Sequence, residues 1–111
     1  MSKALIEKLL RARESGVTVG ERTFTIRRPT DAEAVAMTSS TDRDFVRKFV
    51  VGWNLTELDI YAGGNADKIE FDAELWSEWV ADHPELWTPL AKAILDAYLA
   101  HVEARKATEK N

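Results

Sequence analysis

Apolar residues recur at helical spacing near the amino terminus of the chain. Ser2 can cap a helix there, and Gly16 offers a natural stop for it. The apolar positions between them lie on one face of a helix: Leu5, Ile6, Leu9 and Leu10. The pattern therefore predicts an amphipathic first helix.

The pattern then changes to the alternation that is typical of strands. Apolar and polar side chains alternate on both sides of Gly20-Glu21, and the apolar positions are Val17, Val19, Phe24 and Ile26. We expect a short β-hairpin whose two arms share one apolar face.

Two further helices are predicted after the hairpin. Thr30 and Glu33 have the spacing of a capping box, which favours a helix through Met37. Thr41 can cap the next helix. The apolar face of that helix consists of Phe45, Val46, Phe49 and Val50. The opposite, basic face consists of Arg43, Arg47 and Lys48. We expect its apolar face to contact the core.

The second half of the chain begins without a clear period. From Trp53 to Glu70 we expect a long loop or a poorly formed hairpin. Asp72 can cap a helix with the apolar stripe Leu75, Trp76, Trp79 and Val80. A last helix begins at Pro84 or at Pro89, with the apolar positions Leu90, Ile94, Leu95, Tyr98, Leu99 and Val102.

These elements predict a mainly α fold, a small helical domain of about five helices with a short β-hairpin near the N-terminus. A chain of 111 residues is too short for two independent cores, so we expect a single domain, 1–111. It divides into the first helix and hairpin at 1–28, a helical region at 30–106, and a frayed charged tail at 107–111.

Composition narrows the function. The chain has no cysteine, which removes disulfides, thiolate metal sites and thiol catalysis. It shows no apolar run of about 20 residues and no signal-peptide core, so we expect a soluble cytoplasmic protein without a membrane partner. The net charge of −4 opposes binding to phosphate backbones, and we expect no nucleic-acid partner.

Candidate catalytic groups are sparse. His83 and His101 are the only side chains with a near-neutral ordinary pKa, and neither belongs to a recognisable nucleophile motif. The acidic residues between Asp59 and Asp72 lack the ligand spacing of a calcium-binding EF-hand. We therefore expect neither an enzyme nor a cofactor or metal site.

The four tryptophans all lie in the second half of the chain: Trp53, Trp76, Trp79 and Trp87. Helical spacing favours the core for Trp76 and Trp79. One small core must nevertheless hold four indoles beside several other aromatic rings, which leaves aromatic surface for a partner as a hypothesis. We name the four tryptophans as candidate partner-binding residues.

Residues 49–98 resemble the tail assembly chaperones of long-tailed bacteriophages. The similar features are Phe49 and Val51-Gly52-Trp53 closing a helix, an acidic loop with glycines, and Ile69 and Phe71-Asp72 opening the next helix. A helix ending near Asp82 and Pro84 follows, and then a final helix through Tyr98. The shared positions look structural, so no family binding site is transferred.

The resemblance implies a non-enzymatic assembly factor in the host cell cytoplasm. Such a protein binds the tape measure protein and keeps it soluble while tail-tube subunits gather. A longer frameshifted form would also bind the tail-tube protein, and this chain would correspond to the short form. Formation of a homo-oligomer stays open. The alternatives are a structural phage tail or connector protein and a small DNA-binding regulator that uses Arg43 and Arg47.

Overall fold

Residues 2–109 are described by a computed structural model. Within this range the protein is 58% helical and has a small three-stranded antiparallel sheet, so the mainly helical character is confirmed. The elements, in chain order, are α1 (Ser2–Ala12), β1 (Glu14–Val19), β2 (Arg22–Arg27), α2 (Asp31–Ala36), α3 (Asp42–Phe49), β3 (Val50–Trp53), α4 (Glu57–Ile60), α5 (Ala73–Val80), a 3₁₀ turn (Pro84–Leu86) and α6 (Trp87–Glu109).

The predicted hairpin is confirmed as β1 and β2. Val19 pairs with Arg22, so Gly20 and Glu21 form the two-residue loop, and Gly20 has the positive φ of 64° that suits glycine there. Gly16 does not stop the first helix, because α1 already ends at Ala12 and Gly16 lies in β1 opposite Thr25. Helix α1 therefore ends four residues before the predicted stop at Gly16.

A third strand, β3, was not predicted. The helical spacing predicts Val50 on the apolar face of the third helix, yet its backbone is extended and it pairs with Ile26 of β2. The helical region expected at 30–106 is therefore interrupted at Val50–Trp53. Phe49 ends α3 as expected, whereas Val51, Gly52 and Trp53 form a strand and do not close the helix. The β-branched pair Val50 and Val51 suits a strand, and β2 offers it a free edge.

The other prediction errors lie in the loop and at the two ends of the last helix. The loop after Trp53 contains the short helix α4, giving six α-helices among residues 2–109 rather than about five. Helix α6 begins at neither predicted proline but at Trp87, directly after the 3₁₀ turn. It continues to Glu109, so residues 107–109 of the expected frayed tail are helical, while 110–111 lie outside the described residues.

Three of the four predicted helix caps are confirmed, whereas Ser2 lies within α1 and not before its first turn. Thr30 and Glu33 form a reciprocal capping box, and so do Thr41 and Asp44. The Asp72 side chain accepts a hydrogen bond from the backbone N–H of Leu75 at the start of α5. These contacts satisfy donors that a helix start leaves free, which explains why the helices begin where they do.

The core centres on Trp76, which is fully buried. Its ring lies 5.4 Å from that of Phe24 on β2 and 5.9 Å from that of Trp79. Its indole N–H donates to the Val46 carbonyl oxygen at 2.9 Å, in the last turn of α3 where carbonyls lack helical partners. One side chain therefore joins the sheet, α3 and α5.

Replacing Trp76 by phenylalanine tests whether this side chain holds the sheet, α3 and α5 together. The W76F variant keeps an aromatic ring but leaves the buried Val46 carbonyl without its donor and opens a small void. We expect a loss of about 2–4 kcal/mol in the free energy of unfolding, measured by urea denaturation with circular dichroism. W87F is the control, since Trp87 is only half-buried, and should lose about 1 kcal/mol. Equal losses would contradict the central role of Trp76.

Candidate functional site

The four candidate tryptophans are all used to hold the fold together. Each indole N–H donates to a backbone carbonyl oxygen, at 2.8 to 3.1 Å: Trp53 to Ile69, Trp76 to Val46, Trp79 to Asp59 and Trp87 to Val80. Trp76 and Trp79 are buried, and the other two are half-buried. The exposed apolar surface therefore lies elsewhere in this conformation.

The polar candidates are also engaged in local structure. The His83 ring stacks on Trp79, and its Nδ1 lies 2.7 Å from the Trp79 carbonyl oxygen. In the acidic loop, the Asp59 side chain accepts a hydrogen bond from the Thr56 N–H in the capping box of α4, and the Asn65 side chain accepts one from the Asp67 N–H. Among residues 2–109, no group of three or more His, Cys, Asp or Glu side chains is placed to hold a metal ion.

On the basic face of α3, Lys48 is paired with a carboxylate, and the DNA-binding candidate Arg47 contacts a hydroxyl group. The Glu33 carboxylate lies within 2.8 Å of Arg27 and 3.7 Å of Lys48. Arg47 donates to the Ser77 hydroxyl at 2.7 Å. The Glu33 carboxylate reduces the positive field of Arg27 and Lys48, whereas the hydroxyl of Ser77 leaves the charge of Arg47 unchanged.

An apolar groove lies between α2, α3 and α6. Its cavity is about 440 Å³ and is lined by Pro29, Ala34, Val35, Met37, Thr38, Phe45, Leu95, Tyr98 and Leu99. We call this surface the apolar groove. Val35 is 74% exposed and Leu95 and Leu99 about half-exposed, although all three are large apolar side chains. A contiguous apolar surface of this kind is typical of a binding site.

A second depression continues the apolar groove along α6. It is about 310 Å³ in volume and shares Phe45 and Leu95 with the first. Together they follow α6 from Thr88 to Leu99, which is about 16 Å at the helical rise. These depressions are apolar because the apolar residues of α6 cover more of its circumference than the core can bury. Leu90 and Ile94 are buried in the core, whereas the adjacent Leu95 remains outside it.

Helix α2 forms one wall of the groove, and Glu33 ties it to the sheet. The Glu33 carboxylate accepts two hydrogen bonds from Arg27 of β2, at 2.8 and 2.9 Å, and one from the Thr30 N–H at 3.0 Å. The hydrogen bonds from Arg27, followed by that from Thr30, lower the pKa of Glu33 to about 2. The ionised carboxylate therefore stabilises this wall.

Asp31 ties the same wall to α6. Its carboxylate accepts hydrogen bonds from Arg105 and, at 2.9 Å, from the Tyr98 hydroxyl. These two hydrogen bonds lower the pKa of Asp31, and the contact with Asp31 raises the pKa of Tyr98. Tyr98 also lines the groove, so this polar cluster fixes the separation of α2 and α6 at one end.

Helix α1 presents the other large apolar surface. None of its described residues, Ser2–Ala12, is buried. Its predicted apolar stripe is exposed to between 46% and 69%: Leu5, Ile6, Leu9 and Leu10. Among residues 2–109 no helix has both the length and the apolar character to cross a membrane.

The Glu33 contacts predict a pH dependence of stability. Its pKa is about 2 in the folded protein against an ordinary 4.5. The stabilisation is therefore complete above pH 4.5 and is lost as the pH falls through 2. At pH 7 we expect E33Q to lose about 1–3 kcal/mol in the free energy of unfolding.

Urea unfolding of both proteins between pH 7 and pH 2 checks this prediction, because the two stability curves should converge at low pH. D96N is the matched control, since the Lys92–Asp96 ion pair is exposed and should contribute less than about 0.5 kcal/mol. A constant difference between wild type and E33Q across this range would contradict the assignment.

The groove and helix α1 are thus the two surfaces with unpartnered apolar side chains that stand out in the described part of the chain. Their geometry suits a protein partner better than a small polar substrate, since large aliphatic side chains line both. Comparisons of this chain with protein families, with curated proteins and with solved structures found no match.

Proposed function

We propose that this protein is a phage tail assembly chaperone that binds an amphipathic helix of the tape measure protein in the apolar groove. The observation that carries the proposal is the groove itself, an exposed apolar channel that follows α6 for about three turns between two further helices. The resemblance of residues 49–98 to tail assembly chaperones supports the choice of partner.

The groove has the form that helix recognition requires. A bound helix would place apolar side chains at intervals of three and four residues along α6, where Leu95 and Leu99 lie one turn apart. Phe45 and Val35 would contact the same helix from α3 and α2. Binding would then remove apolar surface from water on both partners.

Such binding accounts for chaperone activity without any catalytic step. A long helical client exposes apolar stripes before its assembly partners arrive, and such stripes promote aggregation. A groove that covers one stripe at a time keeps the client soluble and releases it when a longer apolar interface competes. The groove also differs in location from the tryptophans, so the client contacts would leave the core intact.

Co-expression with overlapping fragments of the tape measure protein from the same genome tests the proposal. We expect at least one fragment to stay soluble and to co-purify with the wild-type chain. L99D should weaken that association by about tenfold or more, because a carboxylate would be buried against apolar side chains. Binding is measured by isothermal titration with the purified fragment.

The matched control is L58D, which changes an equally exposed leucine outside the groove and should bind as wild type does. Failure of every fragment to associate would overturn the proposal. Mass spectrometry of purified particles separates the chaperone from a structural tail or connector protein, because a chaperone is absent from the finished particle.

A further inference from the structure

Helix α1 gains little stability from packing in the described structure. It has 11 residues, and none of them is buried. Isolated helices of this length are marginal in water, because helix nucleation is unfavourable and few hydrogen bonds follow it. Its four exposed apolar side chains lie on one face, so a stable α1 needs a partner surface that covers this face.

The short connection between α1 and the sheet restrains the direction of α1, and none of the residues that line the groove belongs to α1. Only Arg13 separates α1 from β1. The Arg13 N–H donates to the Leu10 carbonyl oxygen at 3.2 Å, and the Arg13 carbonyl accepts from the Arg28 N–H at 2.8 Å. Folding α1 back onto the body would break these hydrogen bonds, so α1 keeps a fixed direction relative to β1.

The apolar groove of another copy matches α1 in length, and the net charge of α1 is opposite to that of the rest of the chain. Both α1 and the groove along α6 are about 16 Å long. Helix α1 has one acidic residue, Glu7, and three basic residues, Lys3, Lys8 and Arg11, so its formal charge is +2. Because the whole chain has a net charge of −4, the residues outside α1 carry a net charge of −6. A basic amphipathic helix is therefore attracted to the acidic body of a second copy.

We infer that α1 of one copy docks into the apolar groove of a second copy. A reciprocal exchange covers both apolar surfaces and closes a twofold dimer, the commonest symmetry of homo-oligomers. The groove is the one assigned above to the client, so α1 and a client helix compete for it. Self-association is measured without a client, which keeps its outcome separate from that of the proposed function.

Sedimentation and light scattering of the full chain test the exchange. We expect twice the 12.5 kDa chain mass for wild type and for the control L58D. L9D in α1 and L95D in the groove should each halve the mass. V35D serves as a second groove variant, since Val35 is 74% exposed and its replacement does not disturb α6.

A mixing experiment identifies the two contact surfaces. L9D retains an intact groove and L95D an intact α1, so an equimolar mixture should form heterodimers through one remaining contact, whereas neither variant dimerises alone. Hydrogen exchange of residues 2–12 should be slow in wild type and fast in both single variants.

Three results would overturn the inference. The first is a monomeric wild type. This holds also if slow hydrogen exchange of the amides of residues 2–12 shows that α1 docks within its own chain. The second is a dimer that survives both L9D and L95D, which would place the interface elsewhere. The third is a monomer whose α1 is protected only on anionic lipid vesicles, which would make α1 a membrane-binding helix.

Discussion

The fold depends on indole N–H groups that donate to backbone carbonyl oxygens, most of them at helix ends. Three of the four carbonyls lie in the last turn of a helix: Val46 in α3, Asp59 in α4 and Val80 in α5. The Val80 carbonyl oxygen also accepts a hydrogen bond from the His83 N–H, at 3.0 Å. A helix end cannot be buried unless such acceptors find donors. Tryptophan supplies the donor and a large apolar surface together, so these helices can end inside or beside the core.

This constraint explains the direct change from helix to strand at Phe49. Helix α3 stops there and β3 begins at the next residue, with no loop to turn a free carbonyl toward water. The Trp76 indole satisfies Val46 at that point. Because α3 and β3 are thereby fixed relative to α5, the groove wall that contains Phe45 is also fixed.

Local contacts were predictable from the sequence, and long-range ones were not. Thr30 and Thr41 cap helices through residues three positions away. The Thr30–Glu33 spacing located α2, and Thr41 with the apolar face that follows it located α3. The same spacing in Thr56 and Asp59 would have predicted α4. Strand β3 depends on pairing with Ile26, which lies 24 residues earlier, and no local pattern specifies that partner.

The groove illustrates the same limit. Ile94 and Leu95 are neighbours on α6 and equally apolar, yet one is buried and the other half-exposed. The sequence placed both on the apolar arc of the helix, but which side faces the core depends on where α3 and α5 pack. The sequence feature that indicates such a groove is an apolar arc on α6 that is too wide to be buried by one contact surface.

The placement of the tryptophans determines which events change the intrinsic fluorescence of this protein. The residues that line the two depressions of the groove, as the structure describes them, include Tyr98 and Phe45 but none of the indoles. Intrinsic tryptophan emission should follow the opening of the core and the solvation of the indole rings. Occupation of the groove by an aliphatic helix would leave that emission nearly unchanged, so folding and binding have separate optical signals in one chain.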